Sequence, residues 1–436
     1  MNIAYAAYKS VTTGLFITLF PPFWVYSRIS GKYLDGLGQK AGCYPETMVQ
    51  SISGSPRIWL HAVSVGEVSA AIPIIRALEE SIPECTFILS TGTEHGQAFA
   101  RSKMGSTVHC IYAPLDFFLS TRRALQTFTP DVLVCVETEI WPNWLIEAHR
   151  LGVKTVLVNG RISKRSFRGY LKIRFLMQQA LKHIHAFSMI AEADADRIHR
   201  LGAPVGRIQI NGNAKYDILI GEVDERIKAD MMRRYRLNGD QPVFVAGSTR
   251  GKEGTIVLDA YKKILRSVPE ALLIIAPRHV KRARSIERQA KARGFSSQFR
   301  TKLDDPGALR TAPVIIVDTI GELQALYSIA SVVFCGGSLV PRGGQNILEA
   351  AVWAKPVLYG PSMDDFLDAK QMIEEAGGGV QVRDGDDLAE KVIFYLNHPR
   401  QAEIMGRSAQ AAVLSHKGAA QKHARVIRRV LQNGCG

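Results

Sequence analysis

Residues 57–67 read RIWLHAVSVGE. Arg57 to Val63 is a short apolar run of the kind that forms a strand buried on both faces. Ser64-Val65-Gly66-Glu67 follows at once, and a helical pattern then runs from Val68 to Glu80. Ser64 can cap that helix, Gly66 lets another chain approach closely, and a carboxylate in the first turn suits the helix dipole. Strand, tight turn and helix in this order form the first half of a βαβ unit.

The same alternation extends outward. Apolar runs at 86–90, 132–136, 153–158 and 186–191 read as strands, with a helix near Glu94 to Lys103. The charged stretch from Gly221 to Gln241 lacks strand character and reads as a linker with a bridging helix. A second series of strands follows at 242–247, 271–276, 313–318, 331–336 and 355–360, with a helix at Gly344 to Trp353 and several helices from Asp386 to Leu431. Strands alternating with helices specify parallel sheets covered on both faces. The expected organisation is α/β: a membrane anchor at 1–27, a Rossmann-like domain at 28–220 and a second at 221–436. Such sheets bind ligands at the carboxyl ends of their strands.

The 436 residues are 46% hydrophobic and 22% charged, which fits folded domains with real cores. The formal charge of +15 calls for an anionic partner: nucleic acid, membrane or phosphorylated substrate. No nucleic-acid-binding module is recognisable, so that partner ranks last. Cys43, Cys85, Cys110, Cys135, Cys335 and Cys435 form no CxxC pair and have no His cluster, which argues against a disulfide framework or a zinc site. From Ser10 to Ser27 the chain carries no charge, about the minimum for a spanning helix, although Pro21-Pro22 is expected to break or kink it. Arg28, Lys32 and Lys40 follow, holding the rest of the chain on the cytoplasmic side. A membrane anchor, a buried helix and a signal peptide are the three readings, with the anchor preferred.

Several turns carry candidate chemistry. Glu67 reads either as a capping residue or as a general base. Glu137 and Glu139, in Glu137-Thr-Glu-Ile-Trp-Pro142, are either a structural ion pair with Lys215 or an Arg, or working carboxylates. The run from Arg161 to Arg174 holds six cations and no acid, suiting a solvated helix face, phosphates or an anionic bilayer. Lys215, in Gly212-Asn-Ala-Lys-Tyr-Asp217, can face a leaving phosphate. In the second half, Gly247 to Gly254, Pro277-Arg278-His279, Asp318 to Leu323, Gly336-Gly337-Ser338 and Gly343 to Glu349 are phosphate-friendly turns at successive strand ends. They point to a nucleotide site. Asp194-Ala-Asp196 reads as a solvated helix start, not a metal motif, and no other acidic cluster demands a divalent ion.

Taken together, Ser64-Val-Gly-Glu67, Ser90-Thr-Gly-Thr93, Glu137-Thr-Glu-Ile-Trp-Pro142, Asn159-Gly-Arg-Ile-Ser163, Gly212 to Asp217, Ala276-Pro-Arg-His279 and Gly343 to Glu349 resemble the 3-deoxy-manno-octulosonic acid (Kdo) transferases. The resemblance runs from the N-terminal anchor to about residue 400. It implies a GT-B fold, two Rossmann-like domains facing across a cleft, with an anchor helix in the inner membrane and the catalytic domains in the cytoplasm. It implies inverting transfer of Kdo from CMP-Kdo to a lipid A precursor (lipid IVA), with no metal or other cofactor. By this likeness Glu67 accepts the proton, and Glu137 and Lys215 support the transition state. Ser248, Thr249, Pro277, Arg278, Gly321, Glu322, Leu323, Asn346, Ile347, Leu348 and Glu349 hold CMP. Two positions depart from the family pattern: Arg250 and Gln345 stand where it has His, and neither titrates near neutrality. Oligomeric state is not legible.

Overall fold

A computed structural model describes residues 3–31, 36–105, 107–221, 223–237, 239, 241–305 and 307–432. Lys32, Cys435 and linker positions 222, 238 and 240 lie outside them. The chain divides into two units, Met1–Asp217 with Gly418–Gly436, and Ile218–Lys417. The last helix, Ala419–Gln432, therefore belongs to the first unit, whereas the sequence reading put everything after Gly221 in the second. The cause is its apolar stripe. Ala420, Ala424, Val426, Ile427 and Val430 join the core that Val68, Ala71 and Ile75 of the helix Val65–Ser81 also build.

The first unit holds β1 (Arg57–His61), β2 (Thr86–Thr91), β3 (Val108–Tyr112), β4 (Val132–Val136), β5 (Lys154–Gly160), β6 (Ala186–Met189) and β7 (Ile208–Ile210). They pair in parallel in the order β3-β2-β1-β4-β5-β6-β7. Strand residues alternate between two cores: Ile58 and Leu60 face one, Trp59 the other. The order reverses between β1 and β4, where doubly wound sheets open a crevice at their carboxyl ends.

The second unit holds β8 (Val243–Thr249), β9 (Leu272–Pro277), β10 (Ser297–Phe299), β11 (Val314–Ile316), β12 (Val332–Cys335), β13 (Val357–Tyr359) and β14 (Gly379–Gln381). They are also parallel, in the order β10-β11-β9-β8-β12-β13-β14, and the reversal lies between β8 and β12.

The N-terminal helix is continuous from Ile3 to Ser30 through Pro21 and Pro22, so of the break or kink expected there the break does not occur. Two missing N–H groups cost the carbonyls one turn earlier their partners. The helix is exposed along most of its length. Its first turns pack on the first unit: Tyr5 Oη donates to Asn143 Oδ1 (3.1 Å), Tyr8 Oη to Asp116 Oδ2 (2.6 Å), and Phe16 stacks on Phe117. It is long and apolar enough to cross a membrane.

Candidate functional site

In the first unit, Glu67 enters the third position of its helix and its Oε2 accepts the Ser64 backbone N–H at 2.6 Å, a reciprocal capping box. The carboxylate is thus fixed at the carboxyl end of β1. Glu137 follows β4 directly, with left-handed backbone (φ 60°). Its Oε1 lies 2.5 Å from Lys215 Nζ and 3.5 Å from Asn159 Nδ2. The ammonium hangs over the Ser64–Glu67 turn: a Cβ built on Gly66 would stand 3.8 Å from it. Glu67, Glu137 and Lys215 therefore gather at the switch point between β1 and β4.

Two further groups sit beneath them. The Glu139 carboxyl hydrogen-bonds to Glu67, accepts from the Trp141 indole N–H and lies 3.7 Å from His61 Nε2. Burial, then the negative charge of Glu67, pushes Glu139 well above the ordinary carboxylate range. His61 is wholly enclosed, stacked on Trp144 and bonded through Nδ1 to Ser90 Oγ (3.0 Å). Burial lowers it to about 4, so the 3.7 Å contact with Glu139 joins a neutral imidazole to a protonated acid and is not an ion pair at neutral pH. A cavity of about 780 Å³ opens at the opposite end of the sheet, lined by Asp131, Gly152, Lys154 and Arg428, far along the strands from these carboxylates.

Asp194 does not behave as the solvated residue expected. It is 5% exposed, and its Oδ1 accepts the Ile162 N–H at 2.7 Å, which fixes the segment after β5. Among the described residues no three His, Cys, Asp or Glu side chains are grouped to hold a metal ion.

In the second unit, Ser248 and Thr249 end β8 at the switch point, and Ser248 has left-handed backbone (φ 52°). The Arg278 N–H donates to the Thr249 carbonyl (3.1 Å), which brings Pro277 and Arg278 alongside, with the Arg278 guanidinium exposed. The turn after β12 differs from its reading. Its amides do point at an anion, but the anion is the buried Glu253 carboxylate. Glu253 accepts N–H groups from Arg250 (2.7 Å), Gly337 (2.6 Å), Ser338 (2.9 Å) and Leu339 (2.9 Å). Those amides are spent on the protein itself. The Glu322 carboxylate is likewise engaged, by buried Arg300 (3.1 Å) and by Thr319, so the Gly321–Leu323 turn offers a ligand its backbone. Asn346 Oδ1 accepts the Leu348 N–H (3.2 Å) in a turn that leads into a helix of only four residues, Leu348–Ala351, shorter than the expected 344–353. Ile347 and Leu348 are core residues, while Glu349 is half-buried. Arg250 Nε is enclosed without a hydrogen-bond partner beside the Gly337 turn.

Residues 35–218 match the family described as 3-Deoxy-D-manno-octulosonic-acid transferase (kdotransferase). The 3-deoxy-D-manno-octulosonic acid transferase of Haemophilus influenzae is 30% identical over 394 residues, 90% of this chain and 91% of that protein. The chain belongs to the Kdo transferase family. The Kdo transferase of Bordetella pertussis is 29% identical over 84% of this chain and 85% of its own. Among solved structures, UDP-GlcNAc 2-epimerase from Neisseria meningitidis bound to UDP-GlcNAc superposes with a TM-score of 0.60 at 12% identity, covering 86% of this chain and all of that one. That likeness shows the fold, GT-B, as the sequence resemblance implied.

For this Kdo transferase, the sequence named the three side chains that meet in the first unit, and Glu139 beneath them, but not His61. His61 carried a weak signal, as the one polar side chain inside the apolar run from Ile58 to Val63. Glu253 is the first residue of its helix, where an acid is commonplace, and nothing in its local sequence marks the amides it collects.

Proposed function

We propose that this Kdo transferase moves Kdo from CMP-Kdo to a lipid A precursor, lipid IVA, with inversion at the anomeric carbon, on the cytoplasmic side of the inner membrane. The observation that carries the reading is the Glu67 carboxylate fixed at the β1–β4 switch point beside the Lys215–Glu137 pair. Glu67 takes the proton of the acceptor hydroxyl as that oxygen bonds to the anomeric carbon. The bond from that carbon to the phosphate oxygen breaks, and its electrons leave with CMP. Lys215 offsets the charge gathering on the phosphate. One displacement inverts the centre, and no metal enters the step.

Family membership and the exposed guanidinium of Arg278 support CMP-Kdo as donor, with Ser248, Thr249, Pro277, Gly321 to Leu323 and Asn346 to Glu349 framing the nucleotide. Anchoring rests on the exposed apolar side chains of Ile3–Ser30, among them Leu15, Leu19, Phe23 and Trp24. It also rests on the exposed helix Lys164–Lys172, where Arg168 and Lys172 lie next to exposed Leu171, Ile173 and Phe175.

The test is to incubate the protein with CMP-Kdo and a tetraacylated lipid A precursor and to weigh the product. Addition of one or more Kdo masses, lost in Glu67→Gln, is expected. No addition by folded protein, with protection by UDP instead of CMP, would turn the reading to another donor.

A further inference from the structure

The Gly212–Asp217 segment carries Lys215, and the last helix grips it at two points. Asp217 accepts the Gly418 and Ala420 N–H groups, both at 2.7 Å, and so caps the helix Ala419–Gln432. One turn on, His423 reaches back with its ring fully enclosed. Its Nε2 lies 3.0 Å from the Gly212 carbonyl oxygen, which can only accept, so Nε2 carries the proton. Nδ1 must then accept, and Ser188 Oγ donates to it at 2.6 Å while itself accepting from Asn211 Nδ2 (2.6 Å). The Asn159 N–H also points at Nδ1, at 3.5 Å.

These bonds lead directly to the candidate site. Asn159 Oδ1 accepts the Ala214 N–H (2.8 Å), its Nδ2 faces Glu137 Oε1, and Glu137 holds Lys215. Both sides of the Lys215–Glu137 pair are thus tied to one imidazole: Lys215 through Gly212 and Ala214, Glu137 through Asn159. A buried imidazole serves here because it offers one donor and one acceptor on a rigid ring. A leucine would fill the space but set the segment free.

We propose that His423 is a positioning residue of the Kdo transfer reaction: through the Gly212 carbonyl and Asn159 it fixes Lys215 against Glu137. The proposal rests on the reading of Lys215 given above. Displacing such a group by an ångström costs on the order of 10²-fold in rate.

The experiment is a double-mutant cycle on the full chain, reading kcat and KM for CMP-Kdo together with the melting temperature. His423→Leu is expected to lower kcat by roughly 10- to 100-fold with KM within about threefold. In a Lys215→Met background the same change is expected to leave kcat unaltered. His423→Gln, which can still donate to Gly212, is expected to recover most of the rate, and His423→Asn, too short to reach, is not. If the leucine variant does not fold, the Gln and Asn pair decides. Equal loss from His423→Leu in both backgrounds, or equal activity of the Gln and Asn variants at equal melting temperature, would overturn the proposal while leaving Lys215 in its role. Wild-type kcat in Lys215→Met alone would overturn both.

Discussion

Glu67 has two duties, and the choice of substitution separates them. Glutamine keeps the third-position capping bond to Ser64, whereas alanine removes it along with the carboxylate. Glu67→Gln should therefore lose about 10²–10⁴ in kcat with a nearly unchanged melting temperature; a large drop in stability with activity retained would make it a cap alone. Glu139 makes the opposite prediction. Its proton is held by burial and by Glu67, so Glu139→Gln imitates the form already present near neutrality. The variant should match wild type at neutral pH and lose less activity on the alkaline limb, where wild-type Glu139 ionises beside Glu67 and Glu137. A pH–rate profile checks this, and an unchanged alkaline limb would count against it. His61 and His423 are both lowered to about 4 by burial, against an unfolded value of about 6.5. The unfolded chain then takes up protons that the folded chain refuses. Stability is full above the unfolded value and falls as pH drops through about 4, at up to about 1.4 kcal/mol per pH unit for each group. Urea titrations across this range should show a shallower slope by one proton in His423→Gln. At this scale the sequence showed the charged groups, because turns after strands announce themselves. It did not show His423, since one histidine in a basic helix far along the chain has no local mark of its partners.

Among the elements, the ten central strands were legible and the four edges were not. β3, β7, β10 and β14 are the outer strands of the two sheets, and three of them are only three residues long and half-exposed. An edge strand is buried on fewer sides, so it lacks the continuous apolar run by which the central strands were read. The stapled turns of the second unit were misjudged for a related reason: glycine-rich composition tells that amides converge, not on what. Glu253 joins the start of the helix Glu253–Ser267 to the turn after β12. Glu253→Ala would leave four N–H groups without an acceptor, at about 1–3 kcal/mol each before relaxation. We expect a loss of at least about 3 kcal/mol in denaturant unfolding, with Glu253→Gln intermediate. A loss below about 1 kcal/mol would mean that water replaces the carboxylate.

At the scale of the whole molecule, the charge of +15 and the apolar N-terminal helix act on the same surface chemistry. Deleting residues 1–30 should shift the protein from pelleted to soluble fractions and, because Tyr5 and Tyr8 bond to Asn143 and Asp116, also lower the melting temperature. The shortened chain should still float with vesicles containing anionic lipid at low salt and release at high salt; binding indifferent to salt would exclude a role for the exposed basic helix. The placement of the last helix has a bearing on synthesis. The second unit is an insertion within the first, since Ile218–Lys417 interrupts it and Gly418 onward completes it. A ribosome making this chain exposes the strands of the first sheet long before the helix that covers part of its core, while the second unit can close on its own. The first unit must wait for the helix Ala419–Gln432 before that part of its hydrophobic surface is shut and its lysine is tethered, so termination between residues 217 and 419 yields a chain with an open core that invites chaperones and proteases.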